Sequence, residues 1–138
     1  PAPARRLAAV RALACGGIFT GVLLMPVLPL LEDGEEQVLA VVERAADAGA
    51  RFVYPAFGMT MRPGQREHYY AALDREFPGL SERYRRRYGE RYTCTSPRAR
   101  QLWEVFSQRC RERGLLYEMR HIVSAATRSY ADRQLSLF

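Results

Sequence analysis

The first sixty residues combine helical and strand-like patterns of apolar positions. The apolar side of a first predicted helix comprises Leu7, Val10, Leu13 and Ala14. Gly16 and Gly17 end this helix in the manner of a C-terminal cap. The apolar run 18–25 lacks alternation, which predicts a strand that is buried on both faces. Pro26 and Pro29 cannot continue a central strand, so we expect it to stop near residue 25.

A second helix and a second strand follow in the same order. Asp33 is placed to cap the N-terminus of the helix, Glu36 occupies the capping-box position, and Gly49 ends the helix. The inward stripe of this helix is predicted to be Leu39, Val42 and Ala46. Residues 51–57 form the second predicted strand. Helix, strand, helix, strand is the order typical of a parallel α/β sheet.

Helices dominate the pattern after residue 62. Further helices are predicted over 63–77, with Tyr69, Leu73 and Phe77 at four-residue spacing, over 79–88, and from Ser96 and Pro97 to about Arg113. Residues 115–123 are apolar enough for one strand or an extended crossing. Residues 129–138 are predicted to form a tail.

Charge is distributed unevenly between the two halves. Residues 1–61 carry five Arg and six acidic residues, whereas residues 62–138 carry sixteen Arg and nine acidic residues; the net charges of −1 and +7 sum to the formal +6. Arg usage without any Lys also follows from a GC-rich genome. The asymmetry, rather than the Arg content, therefore indicates contact with a polyanion.

Several function classes lack their sequence signals. The longest apolar run, 18–31, is too short and too broken by proline to span a membrane, so no membrane partner is expected. Cys15, Cys94 and Cys110 have neither zinc-site spacing nor a disulfide pattern, which favours a reducing, cytoplasmic compartment. We expect no metal ligands in this chain. Hydrolase and kinase motifs are also missing.

Five segments spread over most of the chain agree, in order, with one known family. They are RLAAVRALACGGIFTGVLLMPVLPLLED (6–33), AADAGARFVYPAFG (45–58), FPGLSERYRRRYG (77–89), YTCTSP (92–97) and the terminal QLSLF (134–138). Together they resemble the final third of radical S-adenosylmethionine (radical SAM) enzymes of the spore-photoproduct-lyase-like group.

The resemblance implies an α/β fold, namely the C-terminal part of a partial (β/α) TIM-type barrel with a helical C-terminal extension. Residues 1–61 would be the last β/α units, 62–128 the basic extension and 129–138 the tail. The complete protein would bind a 4Fe–4S cluster and S-adenosylmethionine, form a 5′-deoxyadenosyl radical and act as a lyase-like enzyme of DNA repair. The family's C-x3-C-x2-C cluster motif is absent here and is expected before Pro1, so this fragment alone is expected to be inactive and cluster-free.

Cofactor contacts are expected where the two strands end, because ligands of parallel α/β folds lie beyond the carboxyl ends of the strands. The candidate cofactor-binding residues are Gly21, Met25, Pro26, Leu28, Tyr54 and Phe57. Apolar loops at this place suit an adenine face or a thioether. Alternatively, these residues are ordinary sheet core, and Gly21 is a packing glycine.

Basic and aromatic residues are interleaved in the second half. The candidate nucleic-acid contacts are Arg62, Arg85, Arg86, Arg87 and Tyr88. Arginine neutralises phosphates and tyrosine rings stack on bases, which is the chemistry of a single-strand or flipped-base binder. Alternatively, Tyr84 and Tyr88 share a helical face as core anchors and leave the arginines in solvent. Whether the substrate is DNA, RNA or protein stays open.

The last five residues resemble the peptide by which bacterial DNA-repair and replication proteins bind the sliding clamp. The candidate contacts are Gln134, Leu135, Leu137 and Phe138. Apolar side chains on a tail gain free energy by entering an apolar pocket. Alternatively, the tail folds back onto its own domain.

Cys94 is a candidate hydrogen-atom donor, since its Thr-Cys-Thr-Ser-Pro loop is expected to expose the thiol and this family includes enzymes that use one. A structural thiol is the alternative. Two other function classes remain for the chain as a whole. One is a non-catalytic nucleic-acid or clamp-binding module, and the other is a barrel enzyme without a cluster, although no phosphate-binding loop is seen.

Overall fold

The computed structural model describes residues 2–134, with side chains described through residue 128. Within this range the protein is a mixed α/β chain with six helices and two small sheets. The elements are α1 (Pro3–Cys15), β1 (Gly21–Leu24), α2 (Glu35–Asp47), β2 (Phe52–Pro55), β3 (Gly58–Thr60), α3 (Gln65–Glu76), α4 (Leu80–Tyr88), β4 (Thr93–Thr95), α5 (Ala99–Glu112) and α6 (Met119–Gln134). No helix in the described range is long and apolar enough to cross a membrane.

The parallel pair predicted from the first half of the sequence is present. β1 and β2 run side by side, with Gly21 beside Phe52 and Leu24 beside Pro55, and α2 connects them. A Cβ atom at Gly21 would collide with the carbonyl and ring of Phe52, so glycine is needed there for strand packing. The predicted burial of β1 on both faces is wrong, because Leu23 is 62% exposed.

The first core lies between α2, β2 and α5. Its buried residues are Val38, Val42, Ala45, Ala50, Val53, Leu102, Phe106, Cys110 and Leu115. The predicted stripe of α2 was correct at Val42, but Val38 and Ala45 are buried more fully than Leu39 and Ala46. The apolar face of α2 is wider than one stripe, since the helix packs on both β2 and α5.

Two helix starts differ from the predicted ones. Asp33 does not cap α2; Gly34 is the N-cap and no side chain bonds the first turn. Instead, the buried Asp33 carboxylate accepts a hydrogen bond of 2.5 Å from Ser96 Oγ, 63 residues away in the chain. Ser96 Oγ also accepts the Arg98 backbone N–H at 3.0 Å, although α5 starts at Ala99 rather than at Pro97. A tertiary bond thus replaces the local cap that Asp33 was predicted to form.

The second core is formed by α3, α4 and an antiparallel pair that the sequence analysis missed. Its buried residues are Met61, Tyr70, Leu73, Leu80, Tyr84, Tyr88 and Cys94. β3 pairs with β4, and each strand has only three residues, too few for a visible alternation. Phe77, predicted to face inward, ends α3 and is 48% exposed, whereas Tyr70 is buried.

The end of the described chain is more helical than predicted. Between residues 115 and 123, only Leu116 pairs, in a single parallel bridge to Phe52, and α6 starts at Met119. The predicted tail is wrong for 129–134, because α6 continues to Gln134. Leu135, Leu137 and Phe138 lie outside the described residues. The domain division at residue 61 stays a prediction, although α5 shares a core with α2 and β2.

Candidate ligand-binding cleft

A cleft of about 980 Å³ opens at the carboxyl ends of β1 and β2. Three groups of residues line it: the segments that follow β1 and β2, the β3–β4 pair, and the helices α3 and α5. The lining residues are Met25, Pro26, Pro55, Ala56, Phe57, Gly58, Met59, Thr60, Gln65, Thr93, Thr95, Ala99, Arg100 and Trp103. Ligands of parallel α/β folds bind at this edge.

The wall of the cleft is mostly apolar and is supported by aromatic packing. Trp103 is 42% exposed, yet its ring lies 6.1 Å from that of Phe106 and 5.9 Å from that of Tyr117. Phe57 packs edge-on against Phe106 at 5.7 Å. Met25, after β1, is 39% exposed. Aromatic rings that are fixed by packing, together with an accessible thioether, form a surface that suits a flat, apolar ligand group.

Half of the predicted cofactor contacts lie in this cleft. Met25, Pro26 and Phe57 line it, whereas Gly21, Leu28 and Tyr54 are not among its lining residues. Gly21 packs against β2, as described above. The Leu28 carbonyl accepts backbone hydrogen bonds at 3.3 and 2.9 Å in a turn, which ties that residue to the loop structure.

The far wall of the cleft was not predicted from the sequence. Trp103, Met59 and Gln65 come from α5, β3 and α3, elements that are distant from β1 and β2 in the sequence. Trp103, the single tryptophan of the chain, was a signal, because an exposed tryptophan on a helix flank often marks a contact surface. Its position in the same cleft as Met25 depends on how α5 packs on α2, which no local pattern reveals.

The basic surface of α4 is arranged differently from the predicted one. Tyr88 is 5% exposed and belongs to the second core, so its predicted stacking on bases is wrong. Arg85 lies 3.8 Å from Asp74, and Arg86 lies 3.8 Å from Glu82. These two arginines are therefore partly neutralised, although both are exposed.

The α4 tyrosines anchor the helix instead of stacking on a ligand. Tyr69 donates to the hydroxyl of Tyr84 at 3.1 Å, and Tyr84 donates to the Pro29 carbonyl. Burial and the Tyr69 hydrogen bond raise the pKa of Tyr84. Tyr84 and Tyr88 thus share a buried helical face, as in the alternative interpretation in which they are core anchors and leave the arginines in solvent.

Arg62 lies beside a second exposed aromatic ring. Tyr92 is 51% exposed, and hydrogen bonds that Arg62 and Thr60 donate to its hydroxyl oxygen lower its pKa. Arg62 is also exposed and follows β3. This pair, rather than Tyr88, provides an accessible ring next to a cation.

Cys94 is not exposed as predicted. It lies on β4 with a fully buried side chain, its Sγ is 3.7 Å from the Arg91 carbonyl, and burial raises its pKa. Successive strand residues point to opposite faces, so Thr93 and Thr95 line the cleft while Cys94 points into the second core. This placement favours the alternative of a structural thiol.

No group of three or more His, Cys, Asp or Glu residues in the described range is arranged to hold a metal ion. No protein-family model matches this chain, and neither a curated protein nor a solved structure matches it significantly. The family resemblance and its site assignments therefore stay predictions.

Proposed function

We propose that this chain is the C-terminal portion of a radical SAM enzyme of the spore-photoproduct-lyase-like group, which acts on a nucleic acid. The observation that carries the proposal is the apolar cleft at the carboxyl ends of β1 and β2, where Met25, Pro26 and Phe57 lie together. These residues belong to the segments that resemble the family. A cytoplasmic location is part of the same proposal.

The arrangement of β1 and β2 supports a partial (β/α) barrel. Two parallel strands joined by α2 form one β/α repeat, and α1 precedes β1. Within the described residues, β1 has a strand partner on one edge only. Parallel sheets are normally larger than two strands, so the free edge suits pairing with a preceding strand of a longer barrel.

The residues of the cleft fit S-adenosylmethionine but not the iron–sulfur cluster. Met25 and Phe57 offer a thioether and an aromatic ring to an adenine or sulfonium group. When bound, this cofactor supplies radical chemistry; the residues of this chain bind it, orient it and exclude water. Cluster ligation needs grouped thiolates, whereas Cys94 and Cys110 are buried in different cores with raised pKa values.

The decisive experiment is iron and sulfide analysis of the complete gene product, purified without oxygen. We expect about four irons per chain and an absorbance spectrum that S-adenosylmethionine perturbs. Met25→Ala is expected to weaken S-adenosylmethionine binding about fivefold to tenfold, because a cleft contact is lost. Met119→Ala is the matched control, since Met119 is 46% exposed on α6 and lies outside the cleft. An iron-free protein that cannot be reconstituted would contradict the proposal.

A second candidate function is a non-catalytic module that binds nucleic acid or the sliding clamp. The exposed arginines of α4 and of the segment after it support this candidate. The sequence before Pro1 separates the two functions, because the enzyme requires a C-x3-C-x2-C motif there. If that motif is absent, the binding-module candidate is favoured.

A further inference from the structure

A polar notch of about 540 Å³ adjoins the cleft and shares Thr93 and Thr95 with it. The end of α4, the turn after it and β4 form this notch. Its lining includes Arg87, Tyr88, Arg91, Thr93, Thr95 and Ser96, and no carboxylate side chain is among the lining residues. The cleft is mostly apolar, whereas the notch is cationic and rich in hydroxyl groups.

Arg87 and Arg91 differ from Arg85 and Arg86, their neighbours along the chain. Both are exposed, and no ion pair joins either guanidinium to a carboxylate in the described part of the chain. Arg85 and Arg86, by contrast, lie close to acidic partners. Asp33, whose carboxylate bonds the notch residue Ser96, is buried. The positive charge of the notch is therefore left for a ligand.

The backbone that carries the two arginines is held in place. Tyr88 donates to the Thr95 carbonyl at 2.7 Å, which ties the end of α4 to β4, and the Arg87 guanidinium lies 5.9 Å from the Tyr88 ring. The buried Arg66 donates to the Arg91 carbonyl at 2.9 Å. A preformed site lowers the entropic cost of binding.

We infer that the notch is a phosphate subsite and that, with the cleft, it binds one nucleotide unit. Arginine guanidinium groups bind phosphate oxygens through paired hydrogen bonds, and threonine hydroxyls add further donors. The adjoining cleft presents the exposed Trp103 ring, on which a base stacks. A ligand that satisfies both parts has a flat ring system and a phosphate. The inference rests on the proposed function only in naming this nucleotide unit as the substrate.

Trp103, the single tryptophan in the chain, allows the inference to be tested on the 138-residue protein without any cofactor. Its emission is titrated with deoxycytidine, deoxycytidine 5′-monophosphate, inorganic phosphate and a ten-nucleotide strand of deoxycytidine. We expect the monophosphate to bind about tenfold more tightly than the nucleoside, because charge-assisted hydrogen bonds are gained. Equal affinity of nucleoside and monophosphate, or the absence of any binding, would overturn the inference.

In the double variant Arg87→Gln/Arg91→Gln, we expect the monophosphate to bind no more tightly than the nucleoside, while nucleoside binding persists. For binding of the ten-nucleotide strand, the slope of log binding constant against log salt concentration should fall in magnitude by about one per arginine removed. Arg83→Gln is the matched control, since Arg83 is exposed on α4 and lies outside the notch. Thermal melting confirms that each variant is folded, and the single Arg91→Gln change repeats the test with Arg87 intact.

The two sources of a nucleotide unit give different results. Monophosphate affinity close to that of the strand identifies a free nucleotide, and much tighter strand binding that depends on Arg87 and Arg91 identifies a nucleic acid. If Arg83→Gln lost as much affinity as the double variant, the attraction would depend on charge alone. That result would overturn the phosphate subsite. Because no cofactor takes part, failure here differs from an iron-free complete protein, which contradicts the enzyme class instead.

Discussion

The three cysteines of this protein fall into two groups, one exposed and one buried. Cys15 is exposed at the end of α1, whereas Cys94 and Cys110 are fully buried. Burial raises the pKa of the Cys94 thiol and raises that of Cys110 to about 12. The thiolate is the reactive form of cysteine. Burial therefore makes both thiols inert for two reasons: reagents cannot reach them, and they stay protonated.

Thiol labelling should therefore detect one fast cysteine per native chain. We expect Cys15→Ser to abolish the fast reaction with an aromatic disulfide reagent at pH 8, because the other two thiols are inaccessible and protonated. Cys94→Ser should leave the fast phase unchanged. Stopped-flow absorbance measures both, with the denatured protein as the reference for all three thiols. A fast phase of two thiols in the native protein would show that Cys94 or Cys110 is accessible.

Tyr84 is the most connected polar side chain of the second core. Tyr84→Phe should lower the free energy of unfolding by about 1–3 kcal/mol, because the buried Pro29 carbonyl loses its donor and Tyr69 loses its acceptor. Tyr69→Phe should cost less, about 0.5–1.5 kcal/mol, since the Tyr84 hydroxyl keeps its bond to Pro29. Urea unfolding measures the two values. Equal costs would mean that the Pro29 bond contributes nothing.

Helix starts in this protein depend on contacts between elements as well as on local caps. The loop before α2 and the segment before α5 are joined by the buried Asp33–Ser96 bond, while the exposed Glu36 makes no capping contact. The same two helices are joined at their other ends by Arg109 and Glu43 at 2.5 Å and by Arg113 and Glu43 at 3.3 Å. These contacts position α5, and with it Trp103, over the cleft.

Asp33→Ala should destabilise the protein by about 1–3 kcal/mol, because Ser96 loses its buried acceptor. Glu36→Ala is the control and should change stability by less than about 0.5 kcal/mol, as expected for an exposed side chain without a cap. A double-mutant cycle with Ser96→Ala, followed by chemical unfolding, isolates the coupling between the two elements. If Glu36→Ala costs as much as Asp33→Ala, the capping box exists in solution after all.

The molecule as a whole combines an acidic first part with a strongly basic second part. Residues 1–61 carry −1 and residues 62–138 carry +7. The first core does not follow this division, because α5 of the second part packs on α2 and β2, and the cleft is formed where elements from both parts meet. The terminal QLSLF segment begins at Gln134, the last residue of α6, and its apolar residues lie outside the described range.

The QLSLF segment predicts binding to the bacterial sliding clamp. The chain should bind purified clamp with a dissociation constant of about 1–100 μM, because apolar burial is partly offset by ordering of the tail. Leu137→Ala/Phe138→Ala should weaken this binding at least about tenfold, and Ser136→Ala is the matched control. Calorimetry measures each affinity. Unchanged affinity of the double variant would exclude this segment from the interface.

The local sequence pattern was sufficient to predict an element where the element is long or where residues such as glycine mark its ends. The first five helices occur near their predicted positions, because most have an apolar face and glycine at an end; α1 lacks any buried residue. β3 and β4 were missed since three residues cannot show a period. Three of the six candidate cofactor residues, Met25, Pro26 and Phe57, line the cleft, whereas Trp103 and the Arg87–Arg91 notch arise from packing between distant segments.

The sequence by itself determined the order of the first five helices and of the parallel strands, the charge asymmetry and the end of the sheet at which a cleft forms. These properties depend on residues that are neighbours in the chain. The tertiary structure decided that Tyr88 and Cys94 are buried, that Asp33 bonds Ser96 instead of capping α2, and that Arg87 rather than Arg85 is unpaired. Each of these outcomes depends on which side chains meet across long separations, where burial and tertiary hydrogen bonds outweigh local preference.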